Sequence, residues 1–350
     1  MTVSNTPSTP LRLGILGCAN VAKQFARDVT PSESVSLVAV ASRDADKAQA
    51  FAQAQGIDKH HGSYEALLAD PDIEAIYLPL PNSLHAEWAI KAAAAGKHVL
   101  CEKPLAMGPD EARAMFDAAR QNRVLLLESY PYAFQPQTAA MMRLIEDGAI
   151  GQVQSMQAVF GFRLMNLQNI RMQPELGGGS LLDAGSYVLS LIRLVMGAAP
   201  VRVMADATWT DSGVDISTMA TLTFADGRRA QLSCAMDVAN VRRATISGSD
   251  GTIETEFLNH TSALPAGNDV GYLPSELRLR RGIAANLPFE LQQTATGSGF
   301  RLAAEAFARM VREGNTQAME DAAVVSIENA ATLVALTQSA KLGQSVDVRL

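Results

Sequence analysis

The sequence predicts an α/β chain of two domains: a parallel sheet covered on both faces, then an α+β domain built on an open, mostly antiparallel sheet. Three observations carry this. The chain has 350 residues, and at roughly 150 residues per domain that length suits two domains. From residue 11 to 128, short apolar runs alternate with helical stretches, the grammar of a βαβ sheet. After about residue 135 the hydrophobic period changes to two, as in half-exposed antiparallel strands.

The elements follow in order. Residues 11–17 (LRLGILG) form an apolar strand that runs into a small-residue turn and a helix from Val21 to Asp28. Residues 35–41 are a second strand, 46–55 a helix, 73–80 a third strand, and 83–95 an Ala-rich helix closed by Gly96. Residues 97–101 are a fourth strand, 109–121 a helix and 123–128 a fifth strand. Beyond them a helix over 137–146 leads to strands at 153–163, 201–209, 217–225, 229–236 and 243–247, with turns at Asp226-Gly227 and Asp250-Gly251. Residues 259–298 are poorly periodic and suggest loops with short strands. Helices over 299–313 and 321–341 close the chain. The expected domains are 1–133 and 134–350.

Composition narrows the function. The chain is 48% hydrophobic and 19% charged, with net charge −7, which fits a globular protein and argues against a nucleic-acid partner. The doublets Arg228-Arg229, Arg242-Arg243 and Arg280-Arg281 read as solvated strand or loop edges. Three separated cysteines without C-x-x-C indicate a reduced, intracellular chain. No basic n-region precedes Arg12, and no apolar run reaches the ~18 residues of a membrane span, so the expected location is the cytoplasm. The histidines form no metal motif, and no metal is expected.

The first strand ends in Gly17-Cys18-Ala19-Asn20-Val21-Ala22, a relaxed G-x-G-x-x-G of the Rossmann type in the strand–turn–helix context that the motif requires. Gly17 permits the turn, Ala19 lets backbone amides approach a pyrophosphate, and Ala22 lets helix and strand pack closely. The second strand ends in Ala41-Ser42-Arg43-Asp44, with Lys47 one turn on. A hydroxyl, a guanidinium and an ammonium favour the 2′-phosphate of NADP, while Asp44 could take the ribose-binding role of an NAD enzyme.

The fourth strand ends in Cys101-Glu102-Lys103-Pro104, which aims Lys103 at the crevice beyond the strand ends. Asp183 and Tyr187 are four apart on an expected helix, so both emerge from one face. The glycines 177–179 before them leave room for a ligand. The competing structural reading makes Ser180-x-x-Asp183 a capping box and Tyr187 a core aromatic.

These segments, with Leu78-Pro79-Leu80-Pro81-Asn82-Ser83-Leu84-His85, Glu102-Lys103-Pro104 and Gly177-Gly178-Gly179 through Asp183-Ala184-Gly185-Ser186-Tyr187, resemble the glucose–fructose oxidoreductase / inositol dehydrogenase (Gfo/Idh/MocA) family from about residue 11 onward. Tyr187, with Ser42 and Lys47, is similar to the branch holding glucose–fructose oxidoreductase, NADP-dependent xylose dehydrogenase and dimeric dihydrodiol dehydrogenase. The resemblance implies NADP(H), a sugar-like substrate and a homodimer or higher homo-oligomer joined through the open sheet. On matching positions it implies cofactor contacts from Gly17, Ala19, Asn20, Val21, Ser42, Arg43, Lys47, Leu80, Pro81, Asn82, His85, Glu102 and Lys103. Tyr132, Arg171, Lys103, Asp183 and Tyr187 would face the substrate. Ala133 and Gln135 depart from the family's usual Arg and His.

The implied reaction moves a hydride between the nicotinamide and a sugar carbon, most naturally C1 of an aldose, giving a lactone. Tyr187 would remove or deliver the hydroxyl proton, its pKa lowered from about 10 by the Lys103 ammonium, with the sequence leaving open whether Lys103 or Tyr187 is the proton carrier, and Asp183 would orient substrate or lysine. The alternatives are a cycle in which bound NADP(H) is recycled between an oxidised and a reduced sugar, and a non-catalytic NADP(H)-binding regulator. Apolar residues on both alternating sets of the later strands call for a second copy as cover.

Overall fold

The computed structural model describes residues 9–350. The first eight residues, part of the first expected domain and of the segment expected to lack a leader, lie outside the described residues. The first layer runs β1 (Leu11–Leu16), α1 (Asn20–Val29), β2 (Val35–Ala41), α2 (Ala45–Gln55), β3 (Lys59–His61), α3 (Tyr64–Ala69), β4 (Ala75–Leu78), α4 (His85–Ala94), β5 (His98–Glu102), α5 (Pro109–Gln121) and β6 (Leu126–Ser129). Its six strands are parallel, in the order β3-β2-β1-β4-β5-β6. Leu11, Leu13, Ile15 and Leu16 are fully buried, as a strand covered on both faces requires. Helix α1 buries Ala22, Phe25, Ala26 and Val29, a single stripe at helical spacing, and Phe25 stacks on Tyr77 at 3.7 Å. Strand order reverses between β1 and β4, so a crevice opens beyond their carboxyl ends.

The layer differs from expectation in several places, among them helix α3 (Tyr64–Ala69), where no element was expected. Strand β3 is Lys59-His60-His61, an edge strand without an apolar residue, and so it left no hydrophobic signal. The strand expected over 73–80 stops at Leu78, because Pro79 and Pro81 have no N–H to offer a ladder. Lys103 therefore follows the fifth strand rather than the fourth.

The second layer contains α6 (Pro136–Glu146), β7 (Val153–Arg163), α7 (Ser186–Met196), β8 (Arg202–Trp209), β9 (Asp215–Thr223), β10 (Arg229–Ala235), β11 (Asp237–Gly248), β12 (Gly251–Glu256), β13 (Leu277–Arg281), β14 (Glu290–Leu291), α8 (Gly299–Glu313), α9 (Thr316–Leu342) and β15 (Val346–Asp347). The nine-stranded sheet has the order β14-β13-β12-β11-β7-β10-β9-β8-β15. It is antiparallel except where β10 runs parallel to β7. Helix α7 packs Val188, Leu189, Leu191 and Ile192 into the second core. The stretch Pro174–Met196, which ends in α7, is long and apolar enough to cross a membrane, against the expectation from the sequence; 78% of its most apolar window is buried inside the fold.

The outer face of this sheet is more polar than expected. Val203, Ala205, Leu222 and Leu232 point inward and are buried. Gln157, Thr221, Gln231 and Ser233 lie on the outer face, interrupted by Met204 and Met219, the latter 69% exposed. The first core is also not built from the first half alone. Phe300, Ala304, Phe307 and Ala308 of α8 complete it, and α9 supplies Met319 and Ala323 to the first core and Leu333 and Leu336 to the second.

Candidate active site

A cleft of about 780 Å³ lies between the crevice of the parallel sheet and the second sheet. Its near wall is the turn after β1 (Ala19, Asn20, Val21), the loop after β4 (Leu80, Asn82) and the end of β5 (Glu102, Lys103). Gly17 holds φ +123°, and a Cβ there would stand 2.9 Å from Leu80 Cδ2, so the turn needs glycine. Ala19 occupies the N-cap of α1 in extended conformation, with no side-chain cap and no acid in the first turn. The leading N–H groups of α1 are therefore free to meet an anion, as a dinucleotide pyrophosphate requires.

Asp44 does not wait for a ribose. It is the N-cap of α2, and its carboxylate accepts from the Lys47 N–H at 3.1 Å. Ser42 Oγ accepts from the Asp44 N–H. Arg43 and Lys47 are left exposed at the tip of β2, which suits the 2′-phosphate of NADP. Gly17 hydrogen-bonds Ala41 and so ties this tip to the pyrophosphate turn.

The structure corrects His85, expected to touch the cofactor. It is fully buried, and its ring nitrogens lie 2.9 Å from the carbonyls of Pro104 and Leu80. It joins the loops after β4 and β5. Pro81 opens the short turn Asn82–Leu84, and Asn82 Nδ2 donates to the Gly177 carbonyl, linking the first domain to the glycine run.

Lys103, Asp183, Arg171 and Tyr187 converge. Lys103 Nζ donates to Asp183 Oδ1 at 2.8 Å and to the Asp183 carbonyl at 3.1 Å. Arg171 Nε donates to Asp183 Oδ2 at 2.5 Å. Lys103 Nζ stands 4.7 Å from the centre of the Tyr187 ring. Burial opposes the Asp183 charge, but Lys103 and Arg171 together hold its carboxyl well below the usual carboxylate range. Burial likewise opposes the Lys103 ammonium, yet Asp183 more than compensates and raises its pKa. The expected lowering of Tyr187 is not found. Burial, with the ring 6% exposed, outweighs the pull of Lys103 and raises its pKa.

The capping-box alternative fails on geometry. Ser180 Oγ donates to Asp215 Oδ2 at 2.5 Å and accepts from no helix N–H, and Leu181–Gly185 form a π-helical turn ahead of α7. The room left by the glycine run is partly filled by the protein. At Gly179, φ is +113°, and a Cβ would meet Asp215 Oδ1 at 2.2 Å.

Tyr132 is a second correction. Expected at the substrate, it is 1% exposed and bonds Ser190 Oγ at 2.7 Å behind the Tyr187 ring. Arg242, assigned from sequence to a solvated edge, instead enters the site. Its guanidinium lies 4.3 Å from the Tyr187 ring centre and 4.4 Å from that of Phe160. Burial draws its pKa down to about 10, so it stays charged at neutrality. Asn259, in the aperiodic stretch, bridges Arg242 and the Tyr187 hydroxyl. Gln135, one of the departures noted above, anchors it by donating to the Asn259 carbonyl at 2.7 Å. A charged pair of arginines in a strand gave no hint that only one turns inward.

Comparison with known proteins agrees with this geometry. Residues 11–130 match the model described as an oxidoreductase family with an NAD-binding Rossmann fold (GFO_IDH_MocA), and residues 138–254 match the GFO/IDH/MocA C-terminal domain. A D-xylose 1-dehydrogenase (NADP(+)) of Haloferax volcanii is 36% identical over 97% of this chain and 100% of its own length. The crystal structure of KijD10, a 3-ketoreductase from Actinomadura kijaniata in complex with NADP and TDP-benzene, superposes with a TM-score of 0.84 at 29% identity, covering 94% of this chain and 98% of that one. An aldose-aldose oxidoreductase from Caulobacter crescentus has a TM-score of 0.83 at 25% identity, covering 97% and 99%.

Proposed function

The chain belongs to the Gfo/Idh/MocA oxidoreductase family and is an NADP-dependent sugar oxidoreductase, and we propose that it oxidises C1 of an aldose to a lactone. The observation that carries the reading is the meeting of Lys103, Asp183 and Tyr187 in the cleft that begins at the uncapped N-terminus of α1. The bound dinucleotide supplies the hydride acceptor. Gly17, Ala19, Asn20 and Val21 would hold its pyrophosphate, and Ser42, Arg43 and Lys47 its 2′-phosphate.

The chain's own residues do the rest. An ammonium has three donors, and Lys103 gives hydrogen bonds to Asp183 Oδ1 and the Asp183 carbonyl. The third N–H is available for a substrate oxygen, where it stabilises developing negative charge. Tyr187 Oη, having first released its own proton to solvent through the cleft, takes the hydroxyl proton. Asp183, clamped by Arg171, keeps the ammonium charged and aimed. His85 and Tyr132 act behind this surface as packing and positioning groups.

The test is turnover of NADP⁺ with a panel of aldoses, followed by nicotinamide absorbance and product NMR. Lactone from an aldose supports the proposal; reduction of keto-sugars by NADPH with no aldose oxidised defeats it. The similarity to an aldose-aldose oxidoreductase favours one second reading, in which NADP(H) remains bound and two sugars exchange a hydride. That reading requires nucleotide released only on denaturation. We further propose that Met204 and Met219 on the outer sheet face are covered by a second copy of the chain.

A further inference from the structure

We propose that Arg242 and Asn259 form a donor relay that turns the proton of the Tyr187 hydroxyl toward the cleft and favours the phenolate once that proton has left. The inference rests on the reading of Tyr187 as the proton carrier and adds two positioning residues to it.

Arg242 places a half-buried charge beside Tyr187. Arg242 Nε is buried without a partner, and Nη2 donates to Asn259 Oδ1 at 3.0 Å. The rings of Phe160, Tyr187 and Phe257 enclose the guanidinium, with centroids 4.3 to 4.9 Å from its carbon. Burying an unpaired cation is costly, and aromatic faces recover only part of that cost. A guanidinium only donates. It therefore fixes the Asn259 amide with its oxygen toward Arg242 and its NH₂ toward Tyr187, where Nδ2 stands 3.0 Å from Oη. The phenol oxygen is thus an acceptor in this bond, and its own proton must point elsewhere.

The Asn259 backbone is held too, since its carbonyl accepts from Gln135 Nε2 and from the Gly299 N–H, each at 2.7 Å. Other charged or titratable groups surround the phenol. Glu102 comes from β5 and Lys103 directly follows it, Asp183 comes from the π-helical turn, Arg171 from the loop before it, and Tyr77 from β4. Tyr130 and Tyr132 pack on the ring from the turn before α6. Lys103 is already matched by Asp183. Among the described residues Arg242 forms no ion pair with a carboxylate, so its charge adds to the pull of Lys103 on Tyr187.

The test needs no substrate. Tyrosinate absorbance of the NADP-loaded parent is titrated with pH, and the curve of Tyr187→Phe is subtracted to isolate Tyr187 among the six tyrosines. Asn259→Leu and Arg242→Met should each move that midpoint upward by about one pH unit, a tenfold change in proton affinity. Asn259→Asp, nearly isosteric, should move it further, because a carboxylate satisfies Arg242 but sets negative charge on the phenol. Arg242→Lys should restore part of the shift. NADPH binding reports that each variant is folded. Midpoints that stay within about a third of a unit of the parent in Asn259→Asp and Arg242→Met overturn the relay. Turnover separates the two readings. If Tyr187→Phe stays active while the midpoints move, the proton-carrier reading falls; if it is inactive and the midpoints stay, the relay alone falls.

Discussion

Replacing Asp183 by Asn removes one negative charge from between two cations, and the structure sets the size of the effect. At 2.8 Å and an effective dielectric constant of about 20, the Lys103–Asp183 attraction is about 6 kcal/mol. The Arg171 contribution is discounted, because that side chain is 38% exposed and can turn to solvent. Breaking a buried pair typically costs about 3–5 kcal/mol. With Asp183 itself 16% exposed, the lower end applies, and at about 2 °C per kcal/mol the melting temperature should fall by roughly 6 °C.

The pH dependence changes sign as well. In the parent, Asp183 contributes stability above the ordinary aspartate range, lost only as pH falls through its depressed value; Lys103 contributes below about 10.4 and loses it as pH rises through its raised value. In Asp183→Asn the chief counterweight to burial is gone, and the Lys103 pKa should fall below its unfolded value. Stability of the variant should then rise with pH from neutrality toward about 10, where the parent's is level. Calorimetry from pH 6 to about 10 reads both effects. A melting temperature within about a degree of the parent at neutrality, with the same pH slope, would refute the electrostatic account of the site.

Three further outcomes follow from the geometry. Arg43→Ala with Lys47→Ala should lower the preference for NADPH over NADH by about tenfold or more, since a charge-assisted hydrogen bond contributes about 1.5–3 kcal/mol; fluorescence titration of both nucleotides measures it. Gly179→Ala should cost at least about 1–3 kcal/mol for a strained backbone, because its Cβ meets Asp215 Oδ1 at 2.2 Å, and denaturant midpoints report this. Met219→Glu should convert an assembled form to monomer in light scattering while leaving each chain folded; an unchanged mass would remove the outer face from the interface.

The parallel sheet was legible because each of its interior strands is mostly apolar. Its edge was not, since Lys59-His60-His61 pairs through backbone alone. Lys103, Asp183 and Arg171 were legible through their motifs, and the structure brings them together. His85 and Tyr132 lie in the same motifs, yet they face the protein, because a motif marks proximity and not direction. Arg242 and Asn259 left no local signal. Their role depends on the register of β11 against β7, which pairs Arg242 with Phe160, and on Gln135 pinning a loop more than a hundred residues away. Hydrophobic period cannot encode such long-range contacts. The same holds for α8, whose amphipathic stripe was clear but whose partner, the first core, was not.

In the proposed mechanism Lys103 and Tyr187 act on one substrate beside one nicotinamide. It is tested most directly by steady-state reduction of NADP⁺ by the best aldose of the panel in the parent, Lys103→Met and Tyr187→Phe, with NADPH affinity measured alongside. kcat should fall by about 10²–10⁴-fold in each variant while NADPH still binds. Either variant turning over within about threefold of the parent, a difference of less than 1 kcal/mol in barrier, would contradict it.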